Sequence, residues 1–249
     1  IVLGGEPDGR YDHPPEPTEK NLEGFARIVP AVGAAVGFAQ DPDADRLAIV
    51  DEKGRYIGEE LTLALAAVRR LGQQRGPVVL NLSTSRVAED LAITHGCPVV
   101  RTAVGEINVV EAMLAENAVL GGEGNGGVID PRVGLVRDSF IGMALVLDLL
   151  ATADRPLSSW VDDLPNYAMV KDQYPLKAGA GPAEASALWD RIAQAHGEAQ
   201  ADRRDGLRLA WPDRWVHVRA SNTEPIVRVI AEAATRDEAT QLSNRIGRW

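Results

Sequence analysis

Three loops carry residue types that could do chemistry together. The first, Asp41-Pro42-Asp43-Ala44-Asp45-Arg46, spaces carboxylates at alternate positions between two apolar runs. Such carboxylates can converge on one hard cation, and all-oxygen ligands favour magnesium or calcium. The alternative is a plain solvated turn, but like charges this close repel one another without a cation. An EF-hand fits poorly. Glu52 is twelfth counting from Asp41, but the sixth position is Arg46 where glycine is needed, and Leu47 to Val50 reads as a strand. The second loop is Gly121-Gly122-Glu123-Gly124-Asn125-Gly126-Gly127. Its letters satisfy G-x-G-x-x-G from Gly122, yet Val128-Ile129-Asp130-Pro131 follows in place of the helix a dinucleotide would need. A loop lying close to a ligand suits it better, with Glu123 and Asn125 serving sugar hydroxyls; a flexible glycine turn is the alternative. The third runs from Arg219 to Arg228, with Ser221, Asn222 and Thr223 in its turn. Guanidinium forks and turn amides make a phosphate cradle, unless this is a hairpin with incidental hydroxyls.

These loops need elements to hold them. Thr18 reads as the N-cap of a helix with Leu22, Phe25, Ala26 and Val29 on one face, closed by Pro30 and Gly33. Ala34 to Phe38 and Leu47 to Val50 read as strands flanking the acidic loop. Helices over 59–71, 85–95, 109–116 and 140–151 alternate with strands over 78–82, 99–102 and 119–120. That alternation implies βαβ units around a largely parallel sheet, whose functional loops lie at the carboxyl ends of the strands. A composition shift over 152–165 marks a boundary. Beyond it, strands over 167–174, 207–211, 215–219 and 226–231 with helices over 184–195 and 236–246 make an antiparallel α+β unit.

Composition narrows the class. Lys plus Arg is 26 against 36 Asp plus Glu, a net charge of −10, which argues against a nucleic-acid or anionic-membrane partner. The lone Cys97 suits a reducing cytoplasm. The apolar run Leu61 to Val68 is too short to span a bilayer, and no signal peptide opens the chain. Ile1-Val2-Leu3-Gly4-Gly5 reads as the end of a buried strand, so the chain is expected to be the C-terminal part of a longer protein.

Taken in order, the three loops resemble the signature segments of the α-D-phosphohexomutase superfamily, which includes phosphoglucomutases, phosphomannomutases and phosphoglucosamine mutases. Asp41, Asp43, Asp45 and Arg46 match its Asp-x-Asp-x-Asp-Arg metal loop. Gly122 to Gly127 match its sugar loop, and Arg219 to Pro225 its Arg-x-Ser-x-Thr-Glu-Pro phosphate loop. Arg137-Asp138 and Thr102-Ala103-Val104-Gly105 are smaller family-like runs. The resemblance implies an α/β fold of phosphohexomutase-type layers followed by a C-terminal α+β domain resembling the TATA-binding-protein fold. Residues 1–52 would be the tail of the second domain, 53–156 the third and 157–249 the fourth.

The implied chemistry is phosphoryl transfer on a hexose phosphate through a phosphoserine and a bisphosphate intermediate. Asp41, Asp43 and Asp45 would hold Mg²⁺, with Arg46 beside them. Glu123 and Asn125 would bind hydroxyls; Arg219, Ser221, Asn222, Thr223 and Arg228 would hold the non-reacting phosphate. Glu106 follows Gly105 where some relatives carry His, and would be the proton-transfer group. Asn125 stands where many relatives have Ser, which leaves the hexose open. The family's phosphoserine loop, Thr-x-Ser-His-Asn-Pro, has no counterpart here, so the missing N-terminal domains would be this chain's partner and the chain alone would be inactive. A sugar-phosphate binding module without catalysis is the rival reading. A magnesium phosphohydrolase ranks last, because the aspartates look like ligands and not nucleophiles.

Overall fold

The computed structural model describes all residues but 7, 12, 176–181 and 222–225, and not the side chains of 182–184. Helix α1 (Glu23–Ala31) lies on a hairpin of β1 (Val36–Gln40) and β2 (Leu47–Asp51), paired antiparallel from Val36↔Asp51 to Gln40↔Leu47. Gly37 permits the packing: a Cβ there would stand 2.5 Å from Val29 Cγ2 and 2.7 Å from Phe25 Cζ. Thr18 does not cap this helix. It caps the turn that precedes α1, its Oγ1 accepting Asn21 N–H at 3.4 Å and its carbonyl accepting Leu22 N–H at 3.0 Å, and α1 begins at Glu23. Pro30 sits inside the last turn of α1; proline has no N–H for the Ala26 carbonyl, and Gly54 closes on that oxygen. The expected opening strand is absent: Ile1 and Val2 are exposed and lie in no strand.

The central layer contains α2 (Glu59–Gln73), β3 (Val78–Asn81), α3 (Arg86–Thr94), β4 (Val99–Thr102), α4 (Glu106–Glu116), β5 (Leu120–Glu123), β6 (Gly127–Ile129) and α5 (Ser139–Thr152). Its sheet runs β4-β3-β5-β6, with β3 parallel to β4 and β5 and with β6 antiparallel to β5. Val109 and Met113 of α4 pack on Val79 and Ile129, while Leu63, Ala67 and Leu71 of α2 cluster with Leu80, Ala88 and Leu145. The β1–β2 hairpin is welded to this layer, because Leu47 and Ile49 share a cluster with Leu65, Val146 and Leu149. Short α6 (Leu157–Asp162) leads out of it.

The C-terminal unit contains β7 (Ala168–Pro175), α7 (Pro182–Ala195), β8 (Gln200–Asp202), β9 (Leu207–Ala210), β10 (Trp215–Ala220), β11 (Ile226–Ala233) and α8 (Arg236–Gly247). Its sheet, ordered β7-β11-β10-β9-β8, is antiparallel throughout. Trp189 and Ile192 of α7 and Leu242 and Ile246 of α8 bury against it. Helix α8 opens with a capping box in which Thr235 and Glu238 serve each other's backbone N–H. Elements β6, β8 and α6 escape the sequence reading because three to six residues are too few for a period to register. Among the described residues, no helix is long and apolar enough to cross a membrane.

Candidate functional site

The acidic loop joins β1 to β2, and its shape is set by its own first residue. Asp41 is buried, and its carboxylate accepts the Arg46 backbone N–H at 3.1 Å and Arg46 Nε at 2.6 Å. Burial works to raise the Asp41 carboxyl, but those two donors outweigh it and hold it below the usual range. Ala44 adopts a left-handed φ of 58°. Its carbonyl is fastened by Ser139 at the start of α5, through Oγ at 2.7 Å and N–H at 3.3 Å. The loop therefore presents one ligand oxygen each from Asp41, Asp43 and Asp45, all within 4.8 Å of one another. Asp45 Oδ1 is buried and without a hydrogen-bond partner, and burial pushes the Asp45 carboxyl up despite Arg137. A hard divalent cation would satisfy that oxygen and relieve the crowding of like charge.

Arg137, in the loop before α5, ties the expected site residues together. Its Nη1 donates to Glu123 Oε2 at 2.7 Å, its Nε to Glu106 Oε2 at 3.2 Å and its backbone N–H to Glu106 Oε1 at 2.8 Å, while Nη2 pairs with Asp45. One guanidinium thus joins the acidic loop, the start of α4 and the glycine loop. Glu123 ends β5 and is buried. Its Oε1 also accepts Asn81 Nδ2 at 2.7 Å and Gly105 N–H at 3.0 Å. Three donors leave this carboxylate one of its roughly four acceptor positions for a ligand. The glycine loop itself is the turn of the β5–β6 hairpin, with Asn125 Oδ1 accepting Gly127 N–H at 3.2 Å. Gly126, at φ +87°, accepts the Leu47 N–H at 3.2 Å through its carbonyl oxygen. A Cβ there would stand 2.4 Å from Leu47 O, so only glycine lets the two loops touch.

The loop is braced from beneath by Glu60 in the first turn of α2. Glu60 Oε2 accepts Ser85 N–H at 2.9 Å and occupies the space a Gly124 side chain would need. Burial pushes this carboxyl up to about 8. Gly124 N–H donates to Thr84 Oγ1 at 3.1 Å.

The C-terminal sheet faces the same edge of the central layer. Arg219, the penultimate residue of β10, lies opposite Arg228 of β11, and Ser221 N–H donates to Ile226 O at 2.9 Å beyond the strand end. Asn222 and Thr223 lie outside the described residues. Arg219 Nη1 is 3.8 Å from Asp205 Oδ2, which also accepts Val104 N–H at 3.1 Å, next to the Gly105 that binds Glu123. His217, fully buried, hydrogen-bonds Ser83 Oγ at 2.8 Å through Nδ1 and the Asp205 carbonyl at 2.6 Å through Nε2. Burial holds its imidazole below the ordinary range, which favours the neutral ring. Glu232 accepts Arg86 N–H at 3.0 Å across the same junction and Trp215 Nε1 at 2.7 Å from the neighbouring strand of its own sheet.

Comparison with known proteins gives this constellation its kinship. Models of the phosphoglucomutase/phosphomannomutase α/β/α domain II, α/β/α domain III and C-terminal domain match residues 3–54, 58–167 and 175–247. The chain belongs to the phosphoglucomutase/phosphomannomutase family. A phosphoglucomutase/phosphomannomutase of Thermococcus kodakarensis is 37% identical over 243 residues, 97% of this chain and 53% of that protein. A probable phosphoglucosamine mutase of Methanopyrus kandleri is 36% identical over 245 residues, 97% and 54% of the two. The crystal structure of a phosphoglucomutase/phosphomannomutase family protein from Burkholderia thailandensis superposes with a TM-score of 0.80 at 26% identity, covering 94% of this chain and 50% of that one. The chain spans about half the length of the curated relatives it matches.

Against this family background, the sequence reading placed the three loops but not what joins them. Arg137 was visible only as half of an Arg-Asp pair, with no signal that it meets three carboxylates contributed by separate elements. Glu60 and Asn81 gave no signal, because each acts through a turn distant in sequence. Ser83 meets His217, a contact with no signal in the sequence reading above, and Ser85 Oγ caps α3 by accepting Val87 N–H at 3.2 Å.

Proposed function

We propose that this chain supplies the cation-binding, hexose-binding and phosphate-binding parts of a phosphohexose mutase. The enzyme would move a phosphoryl group between the 1- and 6-oxygens of a hexose phosphate. The observation that carries this reading is the junction at Arg137, which draws an acidic cation loop and a glycine-rich loop to one place. A phosphoserine contributed by upstream domains would donate its phosphoryl group to one hydroxyl, giving a hexose bisphosphate. That intermediate would turn over and return its other phosphoryl group to the serine. Residues 1–52, 53–156 and 157–249 would be the second-domain tail, the third domain and the fourth.

Asp41, Asp43 and Asp45 would hold Mg²⁺, which when bound neutralises charge on the transferring phosphoryl group. Arg46 adds fixed positive charge and keeps Asp41 ionised. Glu106 would take and return the hydroxyl proton. Glu123, through its remaining acceptor position, and Asn125 would orient the ring. Arg219, Ser221 and Arg228, with Asn222 and Thr223, would hold the phosphate that does not react, and this remote binding would position the reacting end. Glucose and mannose phosphates are the favoured substrates and glucosamine phosphate the alternative. The setting is a reducing cytoplasm, in keeping with the buried free thiol of Cys97.

The test is to mix the chain with glucose 1-phosphate, Mg²⁺ and glucose 1,6-bisphosphate, and to follow glucose 6-phosphate with and without the upstream half of a relative. Turnover only in the mixture, lost when Asp41, Asp43 and Asp45 are changed to Asn, supports the reading. Glucose 1-phosphate binding with no turnover in either case favours the non-catalytic binding module.

A further inference from the structure

Lys171 lies on β7, at the edge of the C-terminal sheet, yet its ammonium reaches the central layer. Nζ is 3.7 Å from Glu60 Oε1 and 3.8 Å from Glu59 Oε2. Both acids open α2, and a first-turn acid that only complements the helix dipole can stand in solvent. Glu60 does not. Its other oxygen takes the Ser85 N–H and fills the space below Gly124. Thr84, the neighbour of Ser85, takes the Gly124 N–H, and its own hydroxyl donates to Asn81 Oδ1 at 2.9 Å. Asn81 in turn holds Glu123. The floor of the glycine loop thus consists of Glu60, Thr84 and Asn81, and the cation facing Glu60 belongs to another domain.

We propose that Lys171 is a positioning residue of the hexose site: by holding Glu60 it fixes the Glu123–Gly127 turn, so that grip on the sugar depends on a docked C-terminal domain. The hexose part of this inference rests on the function proposed above; the positioning part does not. A half-exposed lysine would add little as an isolated surface pair. Here its partner is packed beneath a loop with no side chain at 124, and any displacement of Glu60 reaches the loop backbone directly.

The experiment compares Lys171→Met and Lys171→Arg with the unaltered chain at pH 9, above the value of about 8 to which burial pushes the Glu60 carboxyl, so that Lys171 faces a carboxylate. Amide exchange without ligand is expected to quicken about 10-fold at Gly124 and its neighbours in Lys171→Met, to stay unchanged in β9 and β10, and to return in Lys171→Arg. Unchanged exchange at Gly124 in Lys171→Met overturns the proposal, as does quickening spread evenly over the domain. Calorimetry then compares glucose 1-phosphate with inorganic phosphate. Lys171→Met is expected to weaken the sugar phosphate roughly 10-fold more than the bare anion. Equal weakening of both would make Lys171 a phosphate contact and overturn its positioning role. If the unaltered chain binds neither ligand, the proposed function fails, and the exchange result still decides the role of Lys171.

Discussion

Arg137 and Glu123 meet at 2.7 Å beneath the glycine loop, and the same guanidinium holds Glu106 and Asp45. Three carboxylates from three segments depend on one cation, so its loss leaves Glu123 buried with less compensation. Arg137→Met is expected to cost about 3–5 kcal/mol of stability, measured by urea denaturation. Arg137→Lys, which keeps the charge and loses the fork, should cost less but not nothing. A change within about 0.5 kcal/mol for Arg137→Met would mean that solvent already screens the junction.

The cation loop should bind Mg²⁺ weakly when the chain is titrated alone. Mg²⁺ dehydrates reluctantly and relies on phosphate oxygens to complete its shell, while Ca²⁺ tolerates irregular oxygen ligands and should bind comparably. Asp43, the exposed member of the triad, has the least structural duty, so Asp43→Asn should weaken binding of both ions without unfolding. Submicromolar Mg²⁺ affinity, or indifference to Asp43→Asn, would contradict the assignment.

Arg219→Lys tests the phosphate cradle. A guanidinium grips phosphate with two parallel bonds and an ammonium does not. Calorimetry with glucose 1-phosphate should show a loss of about 1.5–3 kcal/mol, the scale of a hydrogen bond to a charged group. Unchanged binding would make Arg219 a partner of Asp205 and nothing more.

Glu60 predicts a pH dependence with a definite sign. Its carboxyl moves from 4.5 in the unfolded chain to about 8 in the fold, so between those values the folded state holds a proton that the unfolded state has lost. Stability contributed by this group is therefore greatest below about 4.5, falls as pH rises through 8, and is flat beyond. Glu60→Gln should abolish that slope. The difference between variant and parent should grow with pH toward an upper limit of about 5 kcal/mol, from denaturation curves at pH 5 and 9. A difference independent of pH would show that Glu60 titrates normally.

Gly126→Ala asks whether the two loops must touch. The new Cβ meets the Leu47 carbonyl and the backbone is left-handed, so a loss of about 1–3 kcal/mol is expected in thermal or urea unfolding. Gly134→Ala, which meets nothing closer than 3.5 Å, is the control and should stay near the parent.

By itself the sequence determined the alternation of elements, because periods of two and of 3.6 are local properties of side-chain order. It also singled out three loops whose residue types suit chemistry. Asp41 to Arg46 spans one turn, and its carboxylates have nowhere to go but together. The three family models span the regions that carry those motifs. What the tertiary structure alone decided is how the loops share charge. Arg137 serves Asp45, 92 positions away, only because the turn at Gly126 bonds to Leu47 and draws the hairpin onto the central sheet. The sequence reading offers Glu106 as a proton carrier; what the fold shows is a carboxylate that anchors Arg137. Lys171 and Glu60 lie 111 positions apart, and nothing in either neighbourhood calls for the other. Such pairings depend on where whole elements come to rest. Packing of apolar faces sets that, and the charged groups then find the partners that packing has brought within reach.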